Sequence, residues 1–192
     1  MYNKTYQNLA LRKHMKKLGL SERALAEKAK ISRTTLRSIL SGDVSVTTQN
    51  IQATTEVLGL SLTILASPPE MNADFSTIAV SLKVLHDGPQ SWKIHFMDFI
   101  DEFRRSLDPR LLLLSPSVEL PIKLRALLAS IVTTLCDEAE MAVPAWAAKR
   151  FGLPAPWFVS EMESLKAMAL LESPLAFRKN NIFVHSNFME RA

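Results

Sequence analysis

Residues 32 to 42 read SRTTLRSILSG, and the pattern in them decides what the first third of the chain folds into. Ser32 stands where a helix N-cap belongs: its hydroxyl can accept from the free backbone N–H of Thr35, which places Arg33 and Thr34 in the first turn. Leu36, Ile39 and Leu40 recur at helical spacing and form the stripe to be buried, so Arg33, Thr34, Arg37 and Ser38 fall on the opposite, outer face. Gly42 ends the helix, because glycine takes the left-handed C′ conformation without strain. The neighbouring stretches serve to position it.

Upstream, a helix is expected over residues 6 to 18, with Leu9, Met15 and Leu18 on one side and Arg12, Lys13, Lys16 and Lys17 around the rest. Gly19 stops it. Ser21 caps the next helix, with Glu22 at its positive end, and Leu25, Ala26 and Ala29 make the inner face. A residue as small as Ala26 lets two helices approach closely, as a helix, tight turn, helix arrangement requires. Downstream, a fourth helix is expected over 48 to 58, and then Leu60, Leu62 and Ile64 alternate with Ser61 and Thr63. Period two means a strand, and a lone strand needs a partner, most simply its own copy across a dimer twofold; a short fifth helix is the other reading.

Charge divides the chain unevenly. The total is +4 with a pI near 9.3, yet residues 1–66 hold ten Lys and Arg against four Asp and Glu, and residues 67–192 hold thirteen against fifteen. The first third is thus basic, as a surface that meets phosphate is, and the remainder meets something else. A length of 192 residues at 47% hydrophobic content suits one large or two small domains with a real core. A single Cys excludes an internal disulfide and fits a reducing compartment. No apolar run reaches the roughly 18 residues of a membrane span, and the start MYNKTYQN is too polar for a signal peptide, so the expected location is the cytoplasm.

A linker with two prolines is expected over 67–75, SPPEMNADF, and beyond it the chain changes character. Trp92, Phe96, Phe99, Ile100, Phe103 and Leu107 make an aromatic stripe at helical spacing, with Asp98, Asp101, Glu102 and Arg105 opposite. A second long helix, 121 to 140, opens on a proline and buries Leu124, Leu127, Leu128, Ile131 and Leu135, with Cys136 as a small buried hydrophobe. A Pro-punctuated aromatic segment, VPAWAAKRFGLPAPWF, and a short helix over 160–171 follow.

This half carries no recognisable chemistry. His14, His86, His95, His185 and the lone Cys are dispersed, with no HExxH and no paired CxxC, so neither a zinc cage nor another cofactor site is expected. Five glycines leave little room for a phosphate loop, and Asp137, Glu138 and Glu140 read as a solvated helix end. The expectation is a binding domain and not an enzyme.

The run GLSERALAEKAKISRTTLRSILSGD (19–43), followed by TTQNIQATTEVLGLSL (47–62), resembles the helix-turn-helix domain of the Xre/Cro/phage-repressor family. Ser21, Leu25, Ala26, Ile31, Ser32, Leu36, Ile39, Gly42, Leu58 and Gly59 sit where that family has the same residue or a close equivalent. The resemblance implies a lambda-repressor-like domain over 1–66 that binds a double-stranded operator as a homodimer and represses transcription. Its second helix of the motif would lie in the major groove, with Arg33, Thr34, Arg37 and Ser38 reading bases. Ser21, Arg23, Lys28, Ser45, Thr47 and Thr48 would meet phosphate, although Ser21, Ser32 and Thr47 equally suit plain helix capping.

Three departures stand out. Lys30 occupies the turn position where the family usually has Gly, Glu22 replaces a Gln that often meets phosphate, and Met15 and Leu40 replace an Arg–Glu pair.

The whole is expected to be mainly α, with a helical domain over 76–192. The sequence of that domain, with its P-x-W, PWF and SLKAMALLESPLAFRKNNIFV runs, resembles bacterial regulators encoded beside nucleotidyltransferase-like toxins. That implies an antitoxin whose Trp146, Trp157, Phe158, Phe177, Arg178, Phe183 and Phe188 bind the toxin, residue types enriched at interface hot spots. The same aromatics could instead form the core of a small domain, and the half could alternatively sense a small molecule through a pocket between the two aromatic helices.

Overall fold

In the computed structural model, which describes residues 11–43, 45–62, 73–160 and 162–190, the chain divides into two units, Met1–Ala66 and Ser67–Ala192. Helices dominate both. Tyr6, Leu9, the strand residues Thr63 and Ile64, and positions 67–72 of the expected linker lie outside the described residues.

The first unit contains α1 (described from 11 to 17), α2 (Glu22–Lys28), α3 (Arg33–Ser41) and α4 (Thr48–Val57). Each of α2, α3 and α4 begins on a hydroxyl that accepts from the amide three residues on: Ser21 from Ala24 at 3.2 Å, Ser32 from Thr35 at 2.9 Å and Thr47 from Asn50 at 3.4 Å. Gly42 ends α3 in the left-handed conformation, as expected, with φ +74°.

The core of this unit gathers Leu11, Met15, Leu25, Ala26, Leu36, Ile39, Leu40 and Leu58, with Leu60 packed against it. Met15 and Leu40, which stand in place of a charged pair, are both buried in it, so packing takes over there. Leu18 is a correction: it is 50% exposed, and Leu11, four residues before Met15, takes the buried position. The reason is local, because the chain has left the helix at Leu18 to turn through Gly19 at φ +62°. Leu60 to Leu62 are neither strand nor helix.

The second unit is built on α5 (Thr77–Asp87), α6 (Trp92–Ser106) and α7 (Ile122–Glu138), which enclose Val80, Val84, Phe96, Phe99, Ile100, Phe103, Leu127, Leu128 and Ile131. α5 is an addition to the expected elements. Its marks are local: Ser76 caps it, and Val80 and Val84 lie four apart. Apart from half-buried Trp92 and exposed Leu107, the stripes of α6 and α7 are buried as expected, and burial pushes the Cys136 thiol up from its ordinary range.

Two positions on and just after α6 are corrected. Leu107 is 52% exposed because it turns the chain out of the helix at φ +49°. Glu102 belongs to the buried side, where Arg105, one turn on, takes up its carboxylate.

Short elements complete this unit: α8 (Ala145–Ala148), a 3₁₀ turn at Glu163–Leu165 that runs into α9 (Lys166–Glu172), and α10 (Leu175–Arg178). The helix expected from residue 160 thus starts later. Strands β1 (Trp157–Phe158) and β2 (Ile182–Phe183) pair in parallel, Trp157 opposite Ile182 and Phe158 opposite Phe183. Asn180 ties these pieces to α7, accepting from the Phe151 amide at 2.9 Å and donating to the Ser130 hydroxyl at 3.0 Å. No helix among the described residues is long and apolar enough to cross a membrane.

Candidate nucleic-acid interface

The motif α2, turn, α3 depends on a sharp reversal over residues 29–32. Ala29 is the C-cap of α2, Lys30 takes φ +55°, and the Ile31 amide closes back on the Ala26 carbonyl at 3.0 Å. Lys30 therefore adopts the left-handed conformation that a glycine would take there freely, at a cost of about 1 kcal/mol. Ser32 then caps α3, and its hydroxyl also bonds that of Thr35 at 2.8 Å. With Leu36, Ile39 and Leu40 turned inward, Arg33, Thr34 and Arg37 stand exposed on the outer face and Ser38 is half-buried at its margin.

This face is basic and open. Among the described residues Arg33 forms no ion pair. Arg12, Lys13, Lys16 and Lys17 are exposed on α1, and Arg23 and Lys28 on α2. Ser45, Thr47 and Thr48 are exposed at the start of α4; the Ser45 amide bonds the Asp43 carboxylate at 2.9 Å, and Thr48 is the first helical residue. The hydroxyls of Ser21, Ser32 and Thr47 are engaged as caps, so they hold helix ends in place whatever else they touch.

Glu22 is the residue whose role becomes visible only here. One carboxylate oxygen accepts from Nε of Arg37 at 3.3 Å, and the other lies 4.0 Å from a terminal nitrogen of Arg12. Three charges from three helices thus meet around one carboxylate. Sequence reasoning marks Glu22 as a helix-end charge and as a departure, and not as a partner of Arg37, because the register that brings Arg37, fifteen residues on, beside it is a product of the helix packing.

In the second unit the seven aromatic and arginine positions separate. Phe177 is fully buried, in edge contact with Phe188, and is a core residue that leaves no surface for a partner. Trp146 packs on the core and donates its indole N–H to the Leu112 carbonyl at 2.8 Å, and Trp157 and Phe188 pack around Trp92. Phe158 and Phe183 stack on each other at 5.1 Å across the β1–β2 pair, half-buried, with the Lys166 ammonium over Phe158. Arg178 is exposed.

Two dispersed histidines, His86 and His95, meet at Asp87, each 2.7 Å from one of its oxygens. Their hydrogen bonds hold that carboxyl below its usual range. Among the described residues no group of three or more His, Cys, Asp and Glu is arranged to hold a metal ion.

Residues 11–65 match the helix-turn-helix family, whose members are DNA-binding transcription regulators. No curated protein and no solved structure matches the chain. The first unit therefore carries a helix-turn-helix DNA-binding domain of the kind found in transcription regulators.

Proposed function

We propose that this protein is a sequence-specific, operator-binding repressor that works in the cytoplasm as a dimer, reads bases with Arg33, Thr34, Arg37 and Ser38, and holds a protein partner through its second unit. The observation that carries the DNA reading is the two-faced α3: an apolar side sealed in the core and an outer side presenting Arg33, Thr34 and Arg37 to solvent. Arginine suits the O6/N7 edge of guanine and the threonine methyl suits thymine. Arg23, Lys28, Ser45, Thr47 and Thr48, with Ser21, flank that face as phosphate contacts, which set register without reading sequence. Dimerisation supplies what one small module lacks, since a single domain makes too few contacts for operator-level specificity.

The partner reading is supported by exposed apolar side chains. Met162, Met168, Leu170, Leu171 and Leu175 are all solvent-exposed, Leu171 at 83%, within a stretch that also holds exposed Arg178 three residues on. Large exposed apolar groups so close in sequence suit a protein contact. The resemblance of this half to regulators encoded beside nucleotidyltransferase-like toxins makes a toxin the natural partner and the chain its antitoxin. A half-open hollow of about 240 Å³ lies beside the C-terminal ends of α6 and α7, lined by Phe103, Arg104, Leu107, Leu135, Glu138 and Ala139. Its volume is smaller than the roughly 300–1,000 Å³ typical of small-molecule sites.

The deciding experiment selects binding sites from a random duplex pool with the full chain, then measures Arg33→Ala and Arg37→Ala on the selected site. Each substitution is expected to weaken specific binding by about 1–3 kcal/mol with the fold intact. Undiminished discrimination in both variants would sink this assignment of the base readers. Co-purification of the full chain from its native locus tests the partner: a stoichiometric neighbour-encoded protein supports it, and a bare homodimer counts against it.

A further inference from the structure

We propose that Glu22 is a specificity-determining residue of the DNA-reading face: it takes up Nε of Arg37, aims the two terminal amino groups of that guanidinium at a guanine edge, and keeps the arginine off the phosphate backbone. The proposal rests on the DNA-reading assignment above and adds a residue outside the base-reading set.

The geometry has three parts. Glu22 Oε2 accepts from Nε of Arg37 at 3.3 Å, and Oε1 faces Arg12 at 4.0 Å, so the carboxylate is shared between the two cations. The Arg37 side chain is 65% exposed while that of Glu22 is 35% exposed, so the arginine stands open to solvent beside a more covered carboxylate. A guanidinium has five N–H donors in a planar fork, and engaging Nε alone leaves the four on the terminal nitrogens free. Two of those four, one on each terminal nitrogen, are the donors of the end-on bidentate bond to guanine O6 and N7.

The charge matters as much as the tether. An arginine on an exposed helix face finds phosphate oxygens as readily as base edges, and most protein–DNA hydrogen bonds go to the backbone. A carboxylate beside it is repelled by phosphate, so an Arg37 that stays with Glu22 is directed into the groove instead of along its wall. Non-specific binding is then weakened more than specific binding, which is how specificity is gained by a repulsive element. Glutamine at this position would keep the shape, lose the repulsion and add a donor for phosphate.

The test uses the full chain, the duplex selected from the random pool by the wild type, and a scrambled duplex of equal length at one fixed salt concentration. Glu22→Gln is expected to bind the scrambled duplex about three- to tenfold tighter, through one added backbone contact and one lost repulsion. Discrimination between the two duplexes is expected to fall about tenfold, the scale of one bidentate base contact. Reselection from the pool with Glu22→Gln should lose its preference for guanine at a single position. In an Arg37→Ala background the same substitution should tighten scrambled binding yet cost no further discrimination, a coupling that a merely structural role would not produce.

Unchanged discrimination in Glu22→Gln, or an equal loss with and without Arg37, overturns the proposal while leaving the DNA-reading face standing. A wild-type chain that selects no site from the pool overturns both.

Discussion

In the first unit the polar anchors of α2, α3 and α4 join residues three apart, whereas several polar ties of the second join residues separated by 11 to 50 positions. Ser21, Ser32 and Thr47 each cap the helix they precede. By contrast, Ser130 on α7 donates to the Ala176 carbonyl, Asn180 spans from the Ser130 hydroxyl to the Phe151 amide, and Trp146 reaches the Leu112 carbonyl. Ser173 and Val184 bond each other in both directions inside the core. A unit assembled from locally specified helices can leave a whole helix face free of structural duty, and α3 uses that freedom to present arginines. A unit assembled from distant polar ties holds its short elements by the core, and its aromatics are largely consumed in doing so.

The largest test of this contrast is Phe177→Ala. Removing a fully buried ring is expected to destabilise the second unit by about 3–5 kcal/mol. Trp92, Trp146 and Trp157 are the only tryptophans, so tryptophan fluorescence during urea unfolding reports that unit alone. A midpoint that does not move would show that the ring is dispensable to the core.

Asn180→Ala comes next. It strands the Phe151 amide and removes the donor to Ser130, for an expected loss of about 2 kcal/mol by the same readout. A loss below a few tenths would mean that the distant ties do little of the holding.

Smaller effects are expected in the first unit, where each signal is local. Ser32→Ala should cost about 1 kcal/mol, the ordinary worth of an N-cap, and should leave tryptophan fluorescence untouched while calorimetry shows the shift. Lys30→Gly should move the other way, stabilising by up to about 1 kcal/mol as the left-handed strain is relieved. If Lys30→Gly destabilised instead, the entropy that glycine adds to the unfolded chain would outweigh that strain.

Much of the first unit was legible in advance because its information is close in sequence. The cap at Ser32, the stripe Leu36, Ile39, Leu40 and the left-handed Gly42 are all properties of eleven consecutive residues. Legibility failed where a helix ended: Leu18 and Leu107 continue an apolar spacing past the point at which the backbone turns away, so periodicity placed them inside and the turn put them out. In the second unit α5 carried readable marks in Ser76, Val80 and Val84, but the β1–β2 pairing did not. Two-residue strands have no period to detect, and their register follows from the amides of Trp157 and Val159 finding the carbonyls of Asn181 and Phe183.

By itself the sequence determined the helical class, the basic character of the first third and the helix-turn-helix with its outward Arg33, Thr34 and Arg37, because capping and amphipathic spacing act over a few residues. Only the tertiary structure decided that Phe177 belongs to the core, that Asn180 gathers three distant segments, and that Glu22 holds Arg37 and faces Arg12. Each of these depends on which helix faces lie against one another, a distance in space that no spacing along the chain encodes.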